Sequence, residues 1–132
     1  MQRSFAALVL CLAFVYTSPA DARPRQWCGW WMQQHTGITS KMVKRNLNLA
    51  REWAHVGTRA SGPGPGVIGV SPHHVVQVLK VVSPGRILAI SGNDGRAVRT
   101  RVRSTRGIFA WRRISPSTTL ALAEPEAPAW PQ

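Results

Sequence analysis

Apolar positions recur at two different periods along this chain. From Trp27 to Gln34 they are crowded enough for a short helix, which Thr36-Gly37 ends because Gly accepts a left-handed cap. Between residues 46 and 56, Leu47, Ala50, Trp53 and Ala54 fall at helical spacing, and Gly57 follows as a stop. Ser-Gly-Pro-Gly-Pro-Gly at 61–66 is compatible with neither helix nor central strand and reads as a loop. Beyond it the period falls to two and Val, Ile and Leu dominate, which predicts strands at about 67–70, 74–82, 86–91, 97–104 and 108–114. Ser83-Pro84-Gly85-Arg86 and Asn93-Asp94-Gly95 supply turns between them. Helices followed by consecutive strands predict an α+β domain with an antiparallel sheet.

A hairpin closed at Pro84-Gly85 sets Val82 opposite Ile87, and counting back sets Val76 opposite Asn93. His74 then shares a face with Asn93 and lies diagonal to it, within reach of a polar side chain, while His73 faces the other way.

The ends of the chain read differently. Arg3, an apolar run at 5–16 and Ala20-Asp21-Ala22 have the pattern of a signal peptide cleaved after Ala22. The expected mature protein is secreted or periplasmic, with a domain over 23–115 and a disordered Pro/Ala-rich tail over 116–132. The apolar run is shorter than the ~20 residues a spanning helix needs, so no membrane span is expected after processing. Cys11 would leave with the signal peptide, and Cys28 would be the single remaining thiol.

Charge narrows the partners. Seventeen Lys and Arg against five Asp and Glu give a formal net charge of +12, which attracts polyanions such as anionic envelope polymers, and nucleic acid through nonspecific charge alone. In Ala-Val-Arg-Thr-Arg-Val-Arg-Ser at 97–104, Arg99, Arg101 and Arg103 share one face, the candidate polyanion-binding surface. No Cys/His cluster has zinc-ligand spacing, and Gly-Pro-Gly-Pro-Gly lacks the Lys and helix of a phosphate loop, so neither a metal nor a cofactor is expected. The chain is expected to be a monomer.

Cys28 heads the first helix, where backbone N–H groups and the helix dipole favour thiolate, with Arg23 and Arg25 upstream. A small inert core residue is the other reading of such a cysteine. Of the four histidines, His35 and His55 lie near helix ends, and His73-His74 open a strand. Trp27, Trp30, Trp31, Trp53 and Trp111 are mainly core, with Trp27 the candidate cleft wall because it adjoins Cys28.

Trp27-Cys28-Gly29, Ala50-Arg51-Glu52-Trp53, His73-His74-Val75, Ser91-Gly92-Asn93-Asp94-Gly95 and the closing Gly107-Ile108-Phe109-Ala110-Trp111-Arg112 follow one another in a familiar order. In that order and spacing the chain resembles the small exported cysteine amidases of the CHAP and NlpC/P60 group. The resemblance implies a papain-like fold, with N-terminal helices packed on a small antiparallel sheet. It implies Cys28 as nucleophile, His74 as base, Asn93 as the residue orienting His74, and Trp27 and Gly29 as substrate contacts. It also implies hydrolysis of peptide amide bonds in peptidoglycan. One position departs: the family pattern has Gly where this chain has Val76. The competing expectation is a non-catalytic basic module on the same fold that grips envelope polyanions or nucleic acid.

Overall fold

The computed structural model describes residues 23–114; the signal-peptide and tail expectations fall outside them. Helix α1 (Cys28–Thr36) is followed by a single turn, α2 (Ser40–Val43), and a 3₁₀ helix (Ala50–His55). Six strands follow: β1 (Thr58–Arg59), β2 (Ile68–Val70), β3 (Val75–Ser83), β4 (Arg86–Asp94), β5 (Ala97–Ser104) and β6 (Ala110–Arg113). They form one sheet in the order β1-β6-β2-β3-β4-β5, with every pairing antiparallel. The α+β class expected from the change of period is therefore present. No helix among the described residues is long and apolar enough to cross a membrane.

The sheet is buried on both faces. On one, Ile68, Val70 and Val75 pack with Cys28, Met32, Ile38, Leu47, Ala50, Trp53 and Val56 from the helical segment. On the other, Val76, Val78, Ile87 and Ala89 form a second cluster against Ile108 and Trp111. The topology requires this second layer. β5 is the edge strand and β6 lies beyond β2, so residues 105–109 must cross the face that α1 leaves open. The crossover is tied at both ends: Thr105 N–H donates to the Gly85 carbonyl at 2.9 Å and Phe109 N–H to the Val70 carbonyl at 2.9 Å.

Close approach explains two glycines. A Cβ on Gly29 would strike the carbonyls of Leu47 and Asn48, so α1 lies directly against that backbone segment. A Cβ on Gly92 would lie 2.5 Å from Trp31 Cβ and 3.0 Å from the Trp27 ring, which seats α1 on β4. The expected second α-helix is instead a tight 3₁₀ connector. Leu49 and Val56 on either side are extended, and the fully buried Trp53 pins the turn by donating its ring N–H to the Leu47 carbonyl at 2.9 Å.

The β3–β4 hairpin closes on Ser83↔Arg86 as expected, but Val81, not Val82, pairs with Ile87, and Gln77 pairs with Ile90. Two register shifts, at 78/80 and 81/83, move β3 by two residues along β4. Continuing from Gln77↔Ile90 sets Val76 level with Ser91 rather than Asn93. A displacement of two preserves which side chains share a face but changes which of them meet.

Candidate active site

Cys28 is the first residue of α1, and its sulfur lies against the β2–β3 hairpin tip. Ser71 N–H and Ser71 Oγ both donate to the His74 carbonyl, each at 2.9 Å, closing a two-residue turn with Pro72 and His73 at its tip. The Cys28 thiol donates to the His73 carbonyl at 3.7 Å across 45 residues of sequence, and Val75 N–H faces the sulfur from the same segment. The helix N-terminus is thus docked on the segment that carries both histidines. The thiol is buried at 2 % exposure, and that burial raises its pKa against the opposing backbone hydrogen bonds. At neutral pH it rests as a thiol, so any nucleophilic activity requires a base to take its proton.

The two histidines part at the turn. His74 Nε2 and Ser91 Oγ share a hydrogen bond of 3.0 Å, and His74 lines a small cavity with Val76, Gly69, Ile108 and Arg103. Those neighbours belong to the sheet face opposite α1: Val76 and Ile108 are in the second cluster, and a Cβ on Gly69 would meet Trp111, Ile108 and Val76. Cys28 shares its cluster with Val75 on the other face. The expected contact between His74 and Cys28 is therefore not made, because strand alternation sends residues 74 and 76 away from α1. His73, at the exposed tip, lines a hollow of about 80 Å³ with Gln26, Leu49, Ala50, Arg51 and Pro72. Ala50, which lines that hollow, packs in the same core cluster as the buried Cys28.

Asn93 ends on the α1 side. Its φ of 54° breaks the alternation of β4, and its side chain lines a surface hollow with Arg23, Pro24, Arg25, Trp27 and Arg96. Trp27 forms the wall between this hollow and Cys28, with the Arg23 guanidinium 4.7 Å above its ring. Asn93 therefore flanks the helix N-terminus and does not orient His74, whose partner is Ser91. Gly29 is buried beneath Leu47 and Asn48, so its role is backbone packing rather than substrate contact.

Arg99, Arg101 and Arg103 do share a face, level with Ser91, Ala89 and Ile87 of β4. It is the face of His74, and it is only partly open. Arg101 Nε lies 2.7 Å from Asp94 Oδ2, and Arg103 is half-buried under the crossover. Sequence reasoning overlooked Ser91, Asp94, Gln26 and the Ser71-Pro72 turn. Ser-Pro ahead of the paired histidines was the available signal for that turn. No group of three His, Cys, Asp or Glu among the described residues has the geometry to hold a metal.

The half-buried His74 ring gives the fold an acid limit. Burial, then the nearby Arg103, lower its pKa from the ordinary 6.5 to about 4. Between those values the unfolded chain binds a proton that the folded chain refuses, so stability falls as pH drops from about 6.5 to about 4. The expected loss is about 2 kcal/mol, allowing for a ring that is part-exposed. Denaturant unfolding across this range checks it: His74→Gln, which has no titrating group there, should show a flatter profile than the parent. Equal slopes would contradict the assignment.

Comparison with known proteins gave no match: no family model, curated protein or solved structure is significantly similar to this chain.

Proposed function

We propose that this protein is an exported cysteine amidase that hydrolyses peptide amide bonds of peptidoglycan, with Cys28 as nucleophile and His73 as base. The observation that carries the reading is the 3.7 Å contact between the Cys28 sulfur and the His73 carbonyl. It brings a thiol at a helix N-terminus and an imidazole-bearing hairpin tip together from 45 residues apart. The likeness of the motifs to the CHAP and NlpC/P60 group supplies the reaction class.

In this reading His73 accepts the thiol proton as sulfur attacks the amide carbonyl. It then returns that proton to the leaving amine, and water releases the acyl group from sulfur. The backbone N–H groups at the start of α1 would then receive the oxyanion. Trp27 and Asn93 line a separate hollow with Arg23, Pro24, Arg25 and Arg96. Turbidity loss of purified peptidoglycan, with release of new amino groups, tests the activity. His73→Ala should lose it and His74→Ala should retain it at pH 7. The opposite order would return the base to His74 and overturn the placement given above.

A second reading has its own support: the arginines of β5 and the single acidic partner among them favour a binding module for anionic polymer. Binding of a fluorescent anionic wall polymer would then weaken steeply with salt. Arg99→Gln should weaken it modestly, because Arg99 is exposed and has no carboxylate partner among the described residues. Binding insensitive to both salt and Arg99→Gln would eliminate this reading.

A further inference from the structure

The face of the sheet opposite Cys28 holds a polar arrangement that the amidase reading does not use. Gly69, Ser71, His74, Val76, Arg103, Ser104, Arg106 and Ile108 enclose a cavity of about 40 Å³. Its walls carry two guanidinium groups, an imidazole and two serines, and no carboxylate. Asp94, the acidic residue close to this face, pairs in charge with Arg101 at 2.7 Å and its field also reaches Arg103, but its Oδ2 makes no hydrogen bond among the described residues. Arg103 Nη1 is buried and has no hydrogen-bond partner among the described residues. A buried charged donor without an acceptor is costly, and native structures rarely leave one unmatched. What this cavity lacks is a small acceptor carrying negative charge.

We infer that the cavity between β2, β3 and the 105–109 crossover binds a single carboxylate group. Two features favour that chemistry. The guanidinium of Arg103 is a planar fork that matches two carboxylate oxygens. The volume suits a group of a few heavy atoms rather than a tetrahedral oxyanion with its hydration. The site is separate from Cys28, which lies on the other face, so it stands or falls independently of the amidase reading.

Occupancy should be visible at His74. The charged groups facing this ring are Arg103, Arg101 and Asp94, and Arg106 shares its cavity. A bound anion offsets the arginines and favours the imidazolium, so carboxylate raises the His74 titration midpoint. By reciprocity, protonation of His74 tightens carboxylate binding by the same factor. A rise of one pH unit corresponds to about tenfold.

The test uses sodium formate as the probe, with ionic strength held constant by methanesulfonate, a bulkier monoanion. His74 ring resonances are followed by NMR in the folded protein. The expected result is a saturable shift at pH 6 and a higher His74 midpoint in formate. Arg103→Gln should weaken formate binding by about tenfold or more, and Lys41→Gln, an exposed cation on α2, should leave it unchanged. If Arg103→Gln fails to fold by circular dichroism, Arg103→Lys serves instead; it keeps the charge, loses the fork and should bind more weakly. A non-saturable response, or equal binding in the parent and the Arg103 variant, overturns the site. Chloride or phosphate competing at concentrations equal to formate overturns the carboxylate assignment.

Discussion

Replacing Cys28 with Ala is expected to reduce peptide-amide hydrolysis by at least about a thousandfold while leaving a folded protein. Loss of activity follows because no second thiol is present among the described residues to replace this one. Retention of the fold follows from size. Removing one buried sulfur from a cluster of ten core residues leaves a small cavity, expected to cost about 1–2 kcal/mol. Cys28→Ser separates the two contributions further, since it nearly preserves volume but offers a hydroxyl that an imidazole activates poorly without further help. The measurement is amino-group release from peptidoglycan, beside a thermal melt of each variant. Activity persisting in Cys28→Ala would overturn the assignment of Cys28 as nucleophile.

Gly29→Val should have the largest effect on folding. The new side chain would meet the Leu47 and Asn48 carbonyls and the Asn48 carbonyl carbon at 3.0 Å. These are backbone atoms, so no rotamer change relieves the clash. Either α1 lifts from the 47–48 segment or that segment moves, and both disturb the cluster that contains Trp53, Leu47 and Cys28. A loss of at least about 3 kcal/mol is expected, a large share of the 5–15 kcal/mol that stabilises a small domain. Gly62→Val is the control, because a Cβ at Gly62 meets nothing within 4 Å. Denaturant midpoints of the two variants should differ widely. A well-folded Gly29→Val protein with only weakened substrate binding would restore Gly29 to the cleft and refute the packing role.

Much of the architecture was legible because hydrophobic period is a local signal. The change from helical spacing to alternation after Gly66 located the sheet, and Pro84-Gly85 located the hairpin that Ser83↔Arg86 closes. What alternation does not encode is a bulge. Neither Val78–Lys80 nor Val81–Ser83 contains a Gly or Pro to mark an extra residue, yet each shifts the ladder. Together they carried Ser91, not Asn93, level with Val76. A second nonlocal feature decided the site itself. Which face α1 covers depends on the small Gly92 beneath Trp31 and Trp27, and nothing within the histidine pair reports it. Asn93 before Asp-Gly did announce a turn, and its left-handed backbone is the same turn chemistry that removes it from the strand's alternation.

The arginine pattern was half legible for a similar reason. Alternation correctly put Arg99, Arg101 and Arg103 on one side, but the strand order needed for the crossover is set by long-range pairing. That crossover turns part of an open basic face into the enclosed cavity at Arg103.

If Cys28 is the nucleophile proposed above, its buried thiol gives its proton to His73. Burial holds the thiol above its ordinary pKa, so reactivity near neutral pH depends on the imidazole. The rate of Cys28 alkylation by iodoacetamide, measured from pH 5 to pH 10 in the folded parent, His73→Ala and His74→Ala, reads this directly. The expected result is labelling of the parent at pH 7, a drop of about tenfold or more in His73→Ala, and little change in His74→Ala. A thiol that stays unlabelled until strongly alkaline pH, at one rate in all three proteins, would mark Cys28 as an inert core residue and rule out His73 as its base.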